Sequence, residues 1–141
     1  MFNAADEGYM RRALDLAAMA MNHATPNPRV GCVLVRDRQI IAEGFTQRPG
    51  EPHAEAHAIR NARSKGQDLV GATAYVTLEP CNHFGKTPPC TEALIGAGVS
   101  RIVAAMEDPN PRVSGTGFER LREAGIDADG ETLKVGIERL H

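Results

Sequence analysis

Apolar residues recur at three- and four-residue steps near the start of the chain. Met10, Ala13, Leu14, Ala17 and Met21 share one face of a predicted helix running from about Ala4 to Asn22. Pro26 and Pro28 end that pattern. Two strand-like runs follow, Val30–Arg36 and Gln39–Phe45, split by Asp37-Arg38, which predicts an antiparallel hairpin. The Arg48–Pro52 segment reads as a turn. A helix is predicted from near His53 to Gly66, since glycine commonly terminates helices. Ala72–Leu78 reads as a third strand. Pro88-Pro89 suits the entry to a helix ending at Gly96 or Gly98, and Arg101–Met106 reads as a fourth strand. A helix over Thr116–Ala124, a short strand near Ile126–Ala128 and a last helix over Glu131–His141 complete the pattern.

Strands alternating with helices in the second half imply parallel neighbours joined by right-handed crossovers, and the initial hairpin makes the sheet mixed. The predicted fold is a three-layer α/β/α sandwich on a mixed, mostly parallel five-stranded sheet.

The 141 residues suit one domain with a single core. Hydrophobic content of 42% and charged content of 24% are ordinary for a globular protein. A formal charge of −2, no basic tail and only three lysines argue against a nucleic-acid partner, which needs a clustered basic face. No membrane-spanning run or signal peptide is evident, so no membrane partner and a cytoplasmic setting are expected. In a reducing compartment, Cys81 and Cys90 are better metal ligands than a disulfide. Cys32 lies in the apolar run Val30–Val35 and reads as a small core residue.

The chemistry concentrates in His53-Ala54-Glu55 and in the later Pro80-Cys81 and Pro89-Cys90 pairs. Two thiolates and an imidazole are three ligands for one Zn²⁺. Structural zinc sites are normally closed by four protein ligands, whereas catalytic ones leave a position to water. Glu55, two residues after His53, is the natural proton carrier. A His-x-Glu followed by Pro-Cys and a second Cys is the signature of zinc nucleobase deaminases, enzymes that replace an exocyclic amine with oxygen. Both ligand sets fall at predicted helix starts, where unpaired amides favour thiolate. His57 lies one helical turn after His53, but the order is not that of His-Glu-x-x-His proteases, and it reads as a packing or supporting residue.

At these residues the chain resembles the pyrimidine deaminase half of the bifunctional riboflavin biosynthesis deaminase/reductase, in the cytidine-deaminase-like superfamily. The matching segments are Pro26–Cys32, Gly50–Ala58, Tyr75–Cys90 and Asp108–Pro111. The eight-residue gap between Cys81 and Cys90 is the most specific element, because nucleic-acid and nucleoside deaminases of the superfamily usually have two residues there. Thr46 stands where many relatives carry a histidine, and the chain stops about where the family's reductase half would begin. The resemblance implies one Zn²⁺ per chain on His53, Cys81 and Cys90, with Glu55 as base and then acid. It also implies a substrate pocket holding Asn27, His83, Lys86, Asp108 and Asn110. The implied substrate is the phosphorylated pyrimidine 2,5-diamino-6-ribosylamino-4(3H)-pyrimidinone 5′-phosphate. No nicotinamide cofactor is expected in these residues. A reductase partner or fusion, and association into a homo-oligomer, belong to the same expectation.

Two other readings stand beside this one. A deaminase of another base, nucleoside or RNA would use the same chemistry. A non-catalytic, zinc-stabilised binding module would need a fourth protein ligand and would leave Glu55 without a task.

Overall fold

The computed structural model describes residues 3–20, 29–47, 51–82, 89–106 and 114–129. It contains α1 (Ala4–Met19), β1 (Gly31–Arg36), β2 (Gln39–Phe45), α2 (Ala54–Ser64), β3 (Thr73–Val76), α3 (Cys90–Ala97), β4 (Arg101–Ala104), α4 (Thr116–Glu123) and β5 (Asp127–Asp129). The five strands form one sheet in the order β2-β1-β3-β4-β5. β1 runs antiparallel to both β2 and β3, while β3, β4 and β5 are mutually parallel. Four strands therefore share a direction and β1 alone opposes them.

Local chemistry explains the boundaries. Asn3 and Asp6 form a reciprocal capping box at the start of α1, satisfying amides the helix cannot pair itself. The β1–β2 turn uses Asp37 and Arg38, both at positive φ (52° and 65°), the backbone of a tight two-residue hairpin. Gly98 ends α3 in the left-handed conformation.

Strand alternation then sorts side chains to two cores. Cys32, Leu34, Ala74, Val76, Ile102 and Ala104 face α2, α3 and α4. Val33, Val35, Tyr75, Val103 and Ala105 face α1, meeting Met10, Ala13 and Leu16. Helices thus cover both faces, as the predicted three-layer sandwich requires. Cys32 is fully buried, in agreement with its reading as a core residue.

Several edges differ from the pattern. β3 and β4 stop two residues early, after Val76 and Ala104, because the chain leaves the sheet to build loops at that end. α1 ends at Met19 with Ala20 as its cap. The predicted extension to Met21 and Asn22, the Arg48–Gly50 part of the turn and the last helix over Glu131–His141 lie outside the described residues.

One buried polar group anchors α1. The Asp6 carboxylate accepts from Arg101 Nη1 at 3.0 Å and Nη2 at 3.1 Å, and from the Tyr75 hydroxyl. Burial raises the Asp6 carboxyl pKa, but the bonds from Arg101 and Tyr75 outweigh it and hold the group below its usual value.

Candidate active site

The carboxyl ends of β3 and β4 carry the site. The chain leaving β3 delivers Cys81, and the helices α2, α3 and α4 all begin at this end of the sheet. His53 is the N-cap of α2, with extended backbone, and the His57 amide closes the first helical bond onto its carbonyl at 2.8 Å. Glu55 therefore falls in the first turn of α2, one residue inside the helix. Pro89 caps α3 and places Cys90 as its first residue.

His53 Nδ1 lies 3.3 Å from Cys90 Sγ and 3.9 Å from Cys81 Sγ. The ligand atoms of the three residues all lie within 4.8 Å of one another. Ideal tetrahedral zinc, with bonds of about 2.3 Å to sulfur and about 2.05 Å to nitrogen, sets nitrogen and sulfur about 3.6 Å apart. The two observed separations bracket that value, so the group fits a zinc ion with Nδ1 as the donor nitrogen. Exposure falls from His53 through Cys81 to buried Cys90, so the group opens outward on the histidine side.

Glu55 is only 4% exposed. Burial pushes its carboxyl up to about 7, an effect that its own backbone amide, His53 and the Cys90 thiol temper. The Cys90 thiol and burial have opposite effects on Cys81; the bond from Cys90 dominates, and with His53 it brings Cys81 down to about 4. Cys90, beside that thiolate and buried, is pushed far up. His53 is raised by its contact with Cys81. Cys32 is raised well above its usual value, by burial first and Glu55 second, and is a neutral thiol beneath the site.

Supporting contacts fix each element. The Cys90 amide donates to Cys81 Sγ at 3.3 Å, and the Thr91 amide donates to the Cys81 carbonyl at 3.2 Å. His57 Nδ1 accepts the Phe45 amide at 3.2 Å, and the Gln47 side-chain amide lies equally close. One turn later, Asn61 donates to the Glu43 carbonyl at 2.8 Å. His57 and Asn61 thus bind α2 to the outer edge of β2, which matches the supporting role read for His57. Thr46 is turned to the backbone of Val30, whose amide donates to its hydroxyl at 2.8 Å.

The structure brings together His53, Glu55, Cys81 and Cys90. The other five predicted site residues, Asn27, His83, Lys86, Asp108 and Asn110, lie outside the described residues. The pattern reading missed Glu79, a buried carboxylate that binds the start of α4. Its position directly before Pro80-Cys81, and the Gly115-x-Gly117 pair opening a helix, were the available signals.

Comparison with known proteins agrees with this geometry. The family described as "Cytidine and deoxycytidylate deaminase zinc-binding region" matches residues 3–106. The chain is 56% identical over 136 residues to "Riboflavin biosynthesis protein RibD" of Escherichia coli, covering 96% of this chain but only 36% of that relative. It is 46% identical over 132 residues to a "Diaminohydroxyphosphoribosylamino-pyrimidine deaminase" of Buchnera aphidicola, covering 94% of this chain and 84% of the relative. A crystal structure of a diaminohydroxyphosphoribosylaminopyrimidine deaminase/5-amino-6-(5-phosphoribosylamino)uracil reductase from Thermotoga maritima superposes with a TM-score of 0.88 at 49% identity. It covers 96% of this chain and 39% of that one. The chain thus spans little more than a third of the RibD relatives it matches.

Proposed function

The chain belongs to the family of zinc-binding cytidine and deoxycytidylate deaminases, and on that premise we propose that it is the pyrimidine deaminase of riboflavin biosynthesis. Its substrate is the diaminopyrimidinone ribotide, which it converts by hydrolysis to 5-amino-6-(5-phosphoribosylamino)uracil and ammonia. The observation that carries the reading is the convergence of His53, Cys81 and Cys90 within 4.8 Å beside a buried glutamate. The high identity to the Buchnera deaminase supports the substrate.

His53, Cys81 and Cys90 would hold one zinc ion, which when bound would acidify a water and so supply a nucleophile at neutral pH. Glu55 is the catalytic acid–base. Its carboxylate would carry the water's first proton to the ring nitrogen and its second to the departing amine, so that the oxygen stays as the ring carbonyl and the amine leaves as ammonia. One carboxylate can serve both tasks because burial holds it near 7, close to a working pH. The field at the start of α2 and α3 favours the anionic groups gathered there.

The substrate pocket is completed by Asn27, His83, Lys86, Asp108 and Asn110, with Lys86 offering positive charge to the anionic ribotide. The 141 residues form one deaminase domain, which needs zinc and no nicotinamide cofactor. The reductase named for the Thermotoga maritima protein would belong to the part of that protein that this chain does not cover. Among the described residues no helix is long and apolar enough to cross a membrane.

Turnover of the ribotide by the zinc-loaded protein in heavy-oxygen water tests this reading. The label should enter the new ring carbonyl while one ammonia is released per product. Ammonia release without label in the product would rule out hydrolytic deamination.

A further inference from the structure

The four residues Glu79–Asn82 form a strap held from several sides. The Glu79 amide donates to the Met106 carbonyl at 2.9 Å, just past β4. The Glu79 carboxylate, 5% exposed, accepts three amides at the start of α4. One oxygen takes Gly115 N–H at 2.9 Å; the other takes Gly117 at 2.8 Å and Phe118 at 3.3 Å. Both oxygens are thus used as acceptors. Gly117 is the only kind of residue that fits there, because a Cβ would overlap the Pro80 carbonyl oxygen. On the far side of Cys81, Asn82 accepts from the Thr91 hydroxyl at 3.0 Å and donates to the Thr116 carbonyl at 3.3 Å. It therefore bridges the starts of α3 and α4. Cys81 sits between these two anchors.

We propose that Glu79 and Asn82 are positioning residues for the metal centre, clamping the Cys81 loop between α3 and α4 so that Cys81 Sγ meets His53 and Cys90. The physical reason is that Cys81 alone of the three donors comes from a loop rather than a helix start. His53 and Cys90 are fixed by the α2 and α3 backbones. Cys81 is held by hydrogen bonds instead, its own from the Cys90 and Thr91 amides and those of its neighbours Glu79 and Asn82. Partners that orient a metal ligand commonly contribute about 10- to 100-fold in metal affinity or activity. This inference rests on the zinc reading of the site.

The test uses cobalt as a spectroscopic stand-in for zinc, together with chelator competition for zinc. Glu79→Gln keeps the shape but turns an amide N–H₂ toward helix amides, which cannot accept it. Asn82→Ala removes both bridges and leaves Glu79 on α4. Arg101→Ala serves as a destabilised control, since it lies against α1 on the other face of the sheet. Both strap variants should bind zinc about 10- to 100-fold more weakly, with weakened visible cobalt bands. The control should keep the parent's spectrum and affinity while losing thermal stability. Parent-like cobalt spectra and zinc affinity in the strap variants would overturn the inference. If Glu79→Gln yields no folded protein, Asn82→Ala decides alone. A parent protein that takes up neither metal would overturn the zinc reading itself, and this inference with it.

Discussion

The backbone amide of Cys90 donates to the sulfur of Cys81 across 3.3 Å, so the first residue of α3 is at once a donor to one sulfur and the carrier of another. The two cysteines are nine positions apart in sequence, and this bond makes them one unit. It also adds to the effects of the Cys90 thiol and His53, which hold Cys81 down to about 4 against burial.

Removal of metal follows from this arrangement. Dialysis against a strong chelator should abolish turnover, and added Zn²⁺ should restore it. Cys90→Ser should lose bound zinc in a metal assay, because oxygen replaces the softer donor. A Cys90→Ser protein with full zinc content and full turnover would remove Cys90 from the ligand set.

Glu55→Gln isolates the proton carrier. The variant should keep zinc content near that of the parent while turnover falls by about two to four orders of magnitude. Metal analysis and steady-state rates on the same preparation check both halves. Near-normal turnover from zinc-loaded Glu55→Gln would sink the role.

β2 passes so close to α2 that a Cβ on Gly44 would overlap the Ala54 carbonyl and the Ala58 amide. Gly44→Ala should therefore destabilise the fold by about 1–3 kcal/mol, the usual cost of overpacking. Because the strain falls on the first turn of α2, which carries Glu55, turnover should drop more than zinc content. Urea denaturation and steady-state kinetics measure the two effects.

The Asp6–Arg101 pair sets an acid limb. The folded carboxyl lies below its unfolded value of about 3.9. Its stabilisation is therefore complete above that value and is lost as pH falls through the folded pKa. Asp6→Asn should lower stability at neutral pH by about 3 kcal/mol, the lower end for breaking a buried pair, since Arg101 is partly exposed. It should also flatten the loss of stability below about pH 4. Denaturant melts of parent and variant across that range check the sign.

Much of this was legible in the chain. β2 runs over the predicted Gln39–Phe45, and α2 and α3 begin at the residues marked by Pro52-His53 and Pro88-Pro89. The His53, Glu55, Cys81 and Cys90 cluster was legible because residue type and spacing both encode zinc chemistry. Contacts between distant segments were not. Asp6 and Arg101 are 95 positions apart, and nothing local to either marks the pair. Glu79 reads as an ordinary acidic residue until the fold brings α4 onto it. The position of β1 between β2 and β3 likewise depends on tertiary packing, because a hairpin pattern leaves open which strand takes its other edge.

The central claim is tested most directly by ammonia release from zinc-loaded protein given the diaminopyrimidinone ribotide, with CMP and cytidine as controls. Release with the ribotide alone is the predicted result, and it would also show that these 141 residues act without a reductase. Release with CMP or cytidine instead, or none from folded, zinc-replete protein, would contradict the assignment.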